Sequence, residues 1–189
     1  MGTPYAMILR LRITPDALRH GLNSACPSFD SYDDWDRLPI MLDDDLRRSA
    51  RENDRSTPGG YLAEVAQYSS KEAGWMFDYN LAQTQLVCMD LLHPDSWSTL
   101  MYTVTRLRGL AASEGYLIIQ DLIGGSMETQ AAIGFHAGTS RVLDIDAGEA
   151  DALIANADAV AMPWLAALQQ AGEGPRPIMP NQLGDWLTK

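Results

Sequence analysis

Between Met7 and Ile123 the hydrophobic period of this chain switches from two to about 3.6 and back again, and that succession restricts the fold more than any single residue does. Met7, Leu9, Leu11 and Ile13 alternate with Ile8, Arg10 and Arg12, the pattern of a strand with one buried face. Thr14-Pro15-Asp16 follows with an N-cap residue, a proline at the first helical position and an acid in the first turn, which predicts a short helix running to about Ala25. Patterning returns at Trp75 to Tyr79, where the aromatics share one face and Asp78 takes the other, and at Thr84 to Leu92, apolar on both faces. The first reads as a strand with an exposed face and the second as a central strand. Trp97, Leu100, Met101, Val104, Leu107 and Ala111 form a helical stripe that Asp95 or Ser96 can cap and Gly115 ends. Tyr116 to Ile123 is a further buried strand, stopped by Gly124-Gly125.

Strand, helix, insertion, strand, strand, helix, strand predicts an α+β fold: an antiparallel sheet with helices on one side, in the order of the split β-α-β unit of ferredoxin-like folds. Beyond it, Ala131 to Ala137 and Arg141 to Asp146 suit a hairpin turning at Gly138-Thr139-Ser140. A helix from about Gly148 to Ala157 is expected next. Pro163 belongs in a first turn rather than a helix interior, so Trp164 to Gln170 reads as a second short helix. After the linker that begins at Gly172, Leu183, Trp186 and Leu187 offer a small apolar patch. The chain of 189 residues therefore divides into one α+β domain over 1–171 and a linker with C-terminal tail over 172–189.

Hydrophobic residues are 46% and charged residues 21% of the chain, the composition of a globular protein and not of a disordered one. The formal net charge of −11 argues against a surface built to neutralise phosphates, so nucleic acid is not expected as a direct ligand. The apolar run Met7 to Ile13 is too short and too charged for a signal peptide, and no run of about 18 uncharged apolar residues offers a membrane span. The expectation is a cytoplasmic protein without a membrane partner. Cys88 lies in Leu86-Val87-Cys88-Met89 and far from Cys26, which reads as a buried thiol.

Sequences with a known chemical mechanism are missing: there is no dinucleotide or Walker glycine loop, no Gly-x-Ser-x-Gly and no His-Glu-x-x-His. His20, His93 and His136 have no metal-pair spacing, so neither a metal nor another cofactor is expected. Carboxylates are the better candidates for chemistry. Asp90 and Asp121 fall near the ends of two central strands, and Asp144 and Asp146 alternate in the predicted hairpin. Acids gathered at one sheet edge can divide acid and base roles or hold a divalent ion, whereas an aspartate at a strand end also makes ordinary turn hydrogen bonds.

The segment from Cys26 to Gly60 breaks the periodicity with nine acids, five arginines and three prolines. Only Leu46 to Asn53 suggests a helical turn or two. Asp30, Asp33, Asp34 and Asp36 flank Tyr32 and Trp35, Phe29 adds a third aromatic, and Asp43-Asp44-Asp45 follow. Interleaved acids and aromatics can steer a basic partner over long range and then bury a rigid anchor in its pocket. Alternatively, Trp35 folds back onto the protein's own core while Arg37, Arg47, Arg48 and Arg51 pair the aspartates locally. A second acidic zone, Val142 to Gln170, has five acids and no base.

In size, charge and the Asp30 to Asp45 segment the chain resembles the immunity proteins of bacterial polymorphic-toxin and type VI secretion systems. The resemblance is one of class and transfers no functional residue from a family motif. It implies an acidic protein-binding module that occludes a basic toxin; the acid and aromatic pattern of this segment itself points to Asp33, Asp34, Trp35, Asp36, Asp43, Asp44 and Asp45 as the contacts. Two other classes fit the same composition. An acidic secretion chaperone requires a large exposed apolar groove, and a small carboxylate- or metal-dependent hydrolase requires Asp90, Asp121 and a histidine to converge in a pocket.

Overall fold

The computed structural model describes residues 5–38, 44–52, 57–69, 74–93, 97–121, 128–172, 174 and 176–187. The alternating run at the start forms β1 (Tyr5–Arg12), and Thr14 caps α1 (Pro15–Asn23) by accepting from the Ala17 N–H at 3.3 Å. Two single 3₁₀ turns, Phe29–Ser31 and Trp35–Arg37, lead to α2 (Asp44–Glu52) and α3 (Pro58–Ser69). Then come β2 (Trp75–Asn80), β3 (Gln85–His93), α4 (Trp97–Leu107), β4 (Glu114–Asp121), β5 (Glu128–His136), β6 (Thr139–Val142) and α5 (Asp151–Ala171). The six strands form one antiparallel sheet in the order β2-β3-β1-β4-β5-β6. Within it, β4-β1-β3-β2 is the strand order of the split β-α-β unit, with β1 and β3 central.

Both sheet faces are covered, which corrects the expectation of helices on one side. Met7, Leu9 and Leu11 of β1 pack with Leu18 and Leu22 of α1, Leu62 of α3 and Val104 of α4. Ala6 and Ile8 point the other way and pack with Met89, Ile118 and Ala132 under Ala157 and Ala161 of α5. Helix α5 is long and apolar enough to cross a membrane by length and composition. In this fold its apolar side lies on the sheet, and Asp158 accepts a 2.8 Å hydrogen bond from Gln120.

Three further expectations change. The segment over 26–60 is largely folded: α3 begins inside it at Thr57-Pro58, the same cap-and-proline signal as Thr14-Pro15, and the Gly60 N–H donates to Thr57 Oγ1 at 3.0 Å. Gly59 explains why this helix carries glycines, since a Cβ there would lie 2.7 Å from the Leu22 carbonyl and 2.4 Å from Leu187 Cδ2. The late hairpin turns at Ala137-Gly138, with φ of 49° and 81°, between the facing pair His136 and Thr139; positive φ at both central residues is the type I′ geometry that two-residue hairpins favour. Finally, α5 is one helix running through Pro163 rather than two.

The tail also has a structural task. Pro180 accepts from the Phe77 N–H at 2.8 Å, the Gln182 N–H donates to the Phe77 carbonyl at 2.8 Å, and Gln182 Oε1 accepts from the Tyr79 N–H at 3.1 Å. These bonds occupy the open edge of β2, a surface that otherwise invites pairing with another chain. Trp186 then meets Tyr79 edge-on with ring centroids 4.6 Å apart, beneath the Arg19 guanidinium.

Candidate functional site

The acidic segment is built around its aromatics. Ser28 caps the first 3₁₀ turn, and the short second turn brings Trp35 back over Phe29, their rings stacked with centroids 4.6 Å apart and 6° between planes. The indole N–H donates to the Phe29 carbonyl at 3.0 Å, and Tyr32 closes the cluster edge-on. Trp35 is buried, at 4% exposure. The expected partner anchor is therefore an anchor for the insertion itself, because the ring's apolar area is already removed from water.

Asp34 is likewise turned inward. Its carboxylate meets Arg108, at the end of α4, with Nη2 donating to Oδ2 at 2.9 Å and Nη1 2.8 Å from Oδ1 in an ionic contact of poor hydrogen-bond angle. The Val142 N–H donates to the same Oδ2 at 2.6 Å. Arg108 also donates to Ser140 Oγ and the Ser140 carbonyl at 3.2 Å, and its guanidinium lies 3.8 Å from the Tyr32 ring centroid and 4.7 Å from that of Trp35. Burial alone would raise the Asp34 pKa, but the hydrogen bonds from Arg108 and Val142 outweigh it and hold the carboxyl below its ordinary value. Tyr32 shifts upward, chiefly through burial and against the pull of Arg108. One buried ion pair thus fastens the insertion to α4 and β6.

A groove of about 780 Å³ lies over that pair, between the insertion and the β5-β6 hairpin. Asp33 and Asp36 line it and are exposed; Thr139, Ser140 and Arg141 form the opposite wall. Asp44 and Asp45 are exposed in the first turn of α2, outside the groove, where the helix dipole favours acids. Asp43 lies outside the described residues. Local pairing takes up part of the negative charge: Arg51 grips both oxygens of Asp30, Arg48 meets Asp45 at 3.0 Å, and Arg37 meets Glu149 at 3.2 Å. Among the described residues, Asp33, Asp36 and Asp44 have no ion pair.

The other carboxylates do not form a single site. Asp90 and Asp121 flank β1, facing Met7 and Tyr5 on the side covered by α1, α3 and α4, and both are buried. Asp144 and Asp146 follow β6 in a turn, not in the predicted hairpin strand, and Asp144 accepts from the Ala147 N–H at 3.0 Å. His20 bonds Ser24 on the surface of α1, and His136 ends β5 opposite Glu114, at the far end of β4 from Asp121. Neither joins Asp90 and Asp121. The His93 side chain lies outside the described residues. Among the described residues no group of three His, Cys, Asp or Glu side chains has the arrangement of a metal site. Cys88 is fully buried on the sheet, where desolvation pushes its thiol pKa well up.

No protein-family model, curated protein or solved structure matches this chain.

Proposed function

We propose that this chain is an acidic protein-binding module that occludes a basic protein partner, in the manner of a bacterial cytoplasmic immunity protein against its toxin. The observation that carries the reading is the pair Asp33 and Asp36, exposed beside a groove and without an ion pair among the described residues, on a loop locked by the Asp34–Arg108 contact. A rigid acidic lip costs little entropy on binding and attracts cations before contact. An arginine or lysine of the partner enters between Asp33 and Asp36, and Asp44 and Asp45 extend the field along α2. Asp43 stays in the contact set on its sequence position alone. Trp35 and Asp34 hold the shape instead of touching the partner.

The secretion-chaperone reading finds less support. Its groove should gather exposed apolar side chains, whereas the exposed large hydrophobics among the described residues, Leu81, Met162 and Ile178, sit on three different segments. The test of the immunity reading is co-expression with the protein encoded immediately upstream. Growth arrest by that protein should be relieved by the wild type and not by D33N/D36N/D44N/D45N. A harmless upstream protein, or equal protection by the variant, would overturn it.

A further inference from the structure

On the α5 side the sheet extends past the helix, and the uncovered end forms a second cleft of about 940 Å³. Register explains its lining. Arg10 and Arg12 on β1 stand beside Gln85 of β3, Tyr116 and Glu114 of β4, and Gly134 and His136 of β5, while Arg141 of β6 faces Gly134. Alternate residues of neighbouring strands share a face, so the same alternation that buries Ala6 and Ile8 under α5 brings three arginines into the cleft. That is three of the 14 Lys and Arg residues of a chain with 25 acids, and the cleft meets the Asp33–Asp36 groove at Thr139 and Arg141, which line both.

Arg10 is held in place. Its Nη1 donates to Asn156 Oδ1 on α5 at 2.6 Å, and with the Gln85 amide oriented to accept, Nη2 and Nε donate to it at 3.1 and 3.2 Å. The Tyr116 hydroxyl donates to the same Asn156 oxygen at 2.7 Å. A guanidinium has further N–H donors beyond these, so Arg10 remains able to bind an anion while its orientation is fixed by β3 and α5. Among the described residues, Arg12 and Arg141 are held by exposed contacts of 3.8 Å to Glu114 and 3.6 Å to Glu149, which an incoming anion can replace at small cost.

We propose that this cleft is a binding site for a small organic carboxylate, oriented by the fixed guanidinium of Arg10 and closed upon by Arg12 and Arg141. A planar carboxylate suits the guanidinium fork, and each such bond is charge-assisted. Glu114 and Glu149 at the same cleft oppose ligands of high negative charge, which selects a monoanion over a phosphate ester or polyphosphate. Leu143 and Leu153 give the body of the ligand an apolar wall, as small-molecule sites generally have.

The probes are phenylacetate, phenethylammonium and inorganic phosphate, titrated into ¹⁵N-labelled protein with the arginine Nε–H and Asn156 side-chain signals followed by NMR. Phenylacetate should shift the Arg10 and Asn156 signals saturably, and R12A/R141A, which removes two exposed side chains, should weaken it about tenfold or more. Phenethylammonium carries the same ring with the opposite charge and should leave those signals in place. Three results would overturn the proposal: no saturable shift with phenylacetate, equal affinity in R12A/R141A, or tighter binding of phosphate. Wild-type thermal unfolding of R12A/R141A separates a lost site from a lost fold.

Discussion

Asp34 and Arg108 show how a single pair decides what a whole segment can do. Arg108 is 1% exposed at its side chain and Asp34 18%, so removing one partner leaves a charge in a poorly solvated place. Such losses are worth about 3–5 kcal/mol. Arg108→Met is therefore expected to lower the urea midpoint sharply, and D34N/R108M to recover part of the loss because neither charge then stays behind. The pH dependence follows from the same contact. The folded pKa of Asp34 is depressed, so its contribution is present above the unfolded carboxyl value of about 3.9 and is lost as pH falls through the folded value. Wild-type stability should therefore drop more steeply below about pH 4 than that of D34N/R108M, as read by urea denaturation across the acid range. Gly115 is a second residue on which a ladder depends. At φ of 148° its missing Cβ would lie 2.3 Å from the Arg10 carbonyl, so Gly115→Ala should destabilise by about 2 kcal/mol or more through the displaced β1-β4 ladder.

At the scale of elements, β1, α1, β3, α4 and β4 were legible because burial on the sheet follows local periodicity and the caps are sequence-local. The acidic segment was legible as a cluster but not in its orientation. Trp35 and Asp34 point inward because of Arg108, 74 positions away, and no local pattern carries that distance. Helix α3 carries Gly59 and Gly60 in its first turn, which lowers its intrinsic helix propensity, although Thr57-Pro58 marks its start. At Pro163 intrinsic propensity argues for a break in α5. Burial overrides it: Ala157 and Ala161 are covered, and Trp164, Leu165 and Leu168 continue onto the same sheet face. Pro163 is exposed, so its ring faces away from the sheet. Pro163→Ala restores a helical N–H there, and it is expected to stabilise the protein by on the order of 1 kcal/mol or more, seen as a higher urea midpoint with unchanged slope. The tail makes the opposite prediction. Deleting residues 178–189 uncovers the β2 edge at Phe77 and Tyr79, so the shortened protein should elute as dimers or larger species in size-exclusion chromatography with light scattering, where the full chain does not.

Over the whole molecule, charge is distributed as two different tools. In the insertion, arginines neutralise Asp30 and Asp45 and leave Asp33, Asp36 and Asp44 as discrete contact charges. From Val142 to Gln170 five acids meet no base within the segment, and exposed Asp146 and Asp151 there lie outside the groove beside Asp33 and Asp36. The Debye length separates these roles, being about 30 Å at 0.01 M salt and about 8 Å at 0.15 M. At low salt both groups would steer the proposed basic partner; at higher salt only charges at the contact would still act. D146N/D151N should therefore slow association with the basic partner at 0.01 M and leave it nearly unchanged at 0.15 M. By contrast, D33N/D36N should speed dissociation at both, by about tenfold. Stopped-flow association and dissociation measured at the two salt concentrations distinguish them. Equal behaviour of the two double variants would mean that the partner docks elsewhere, because a contact pair and a remote pair respond differently to screening.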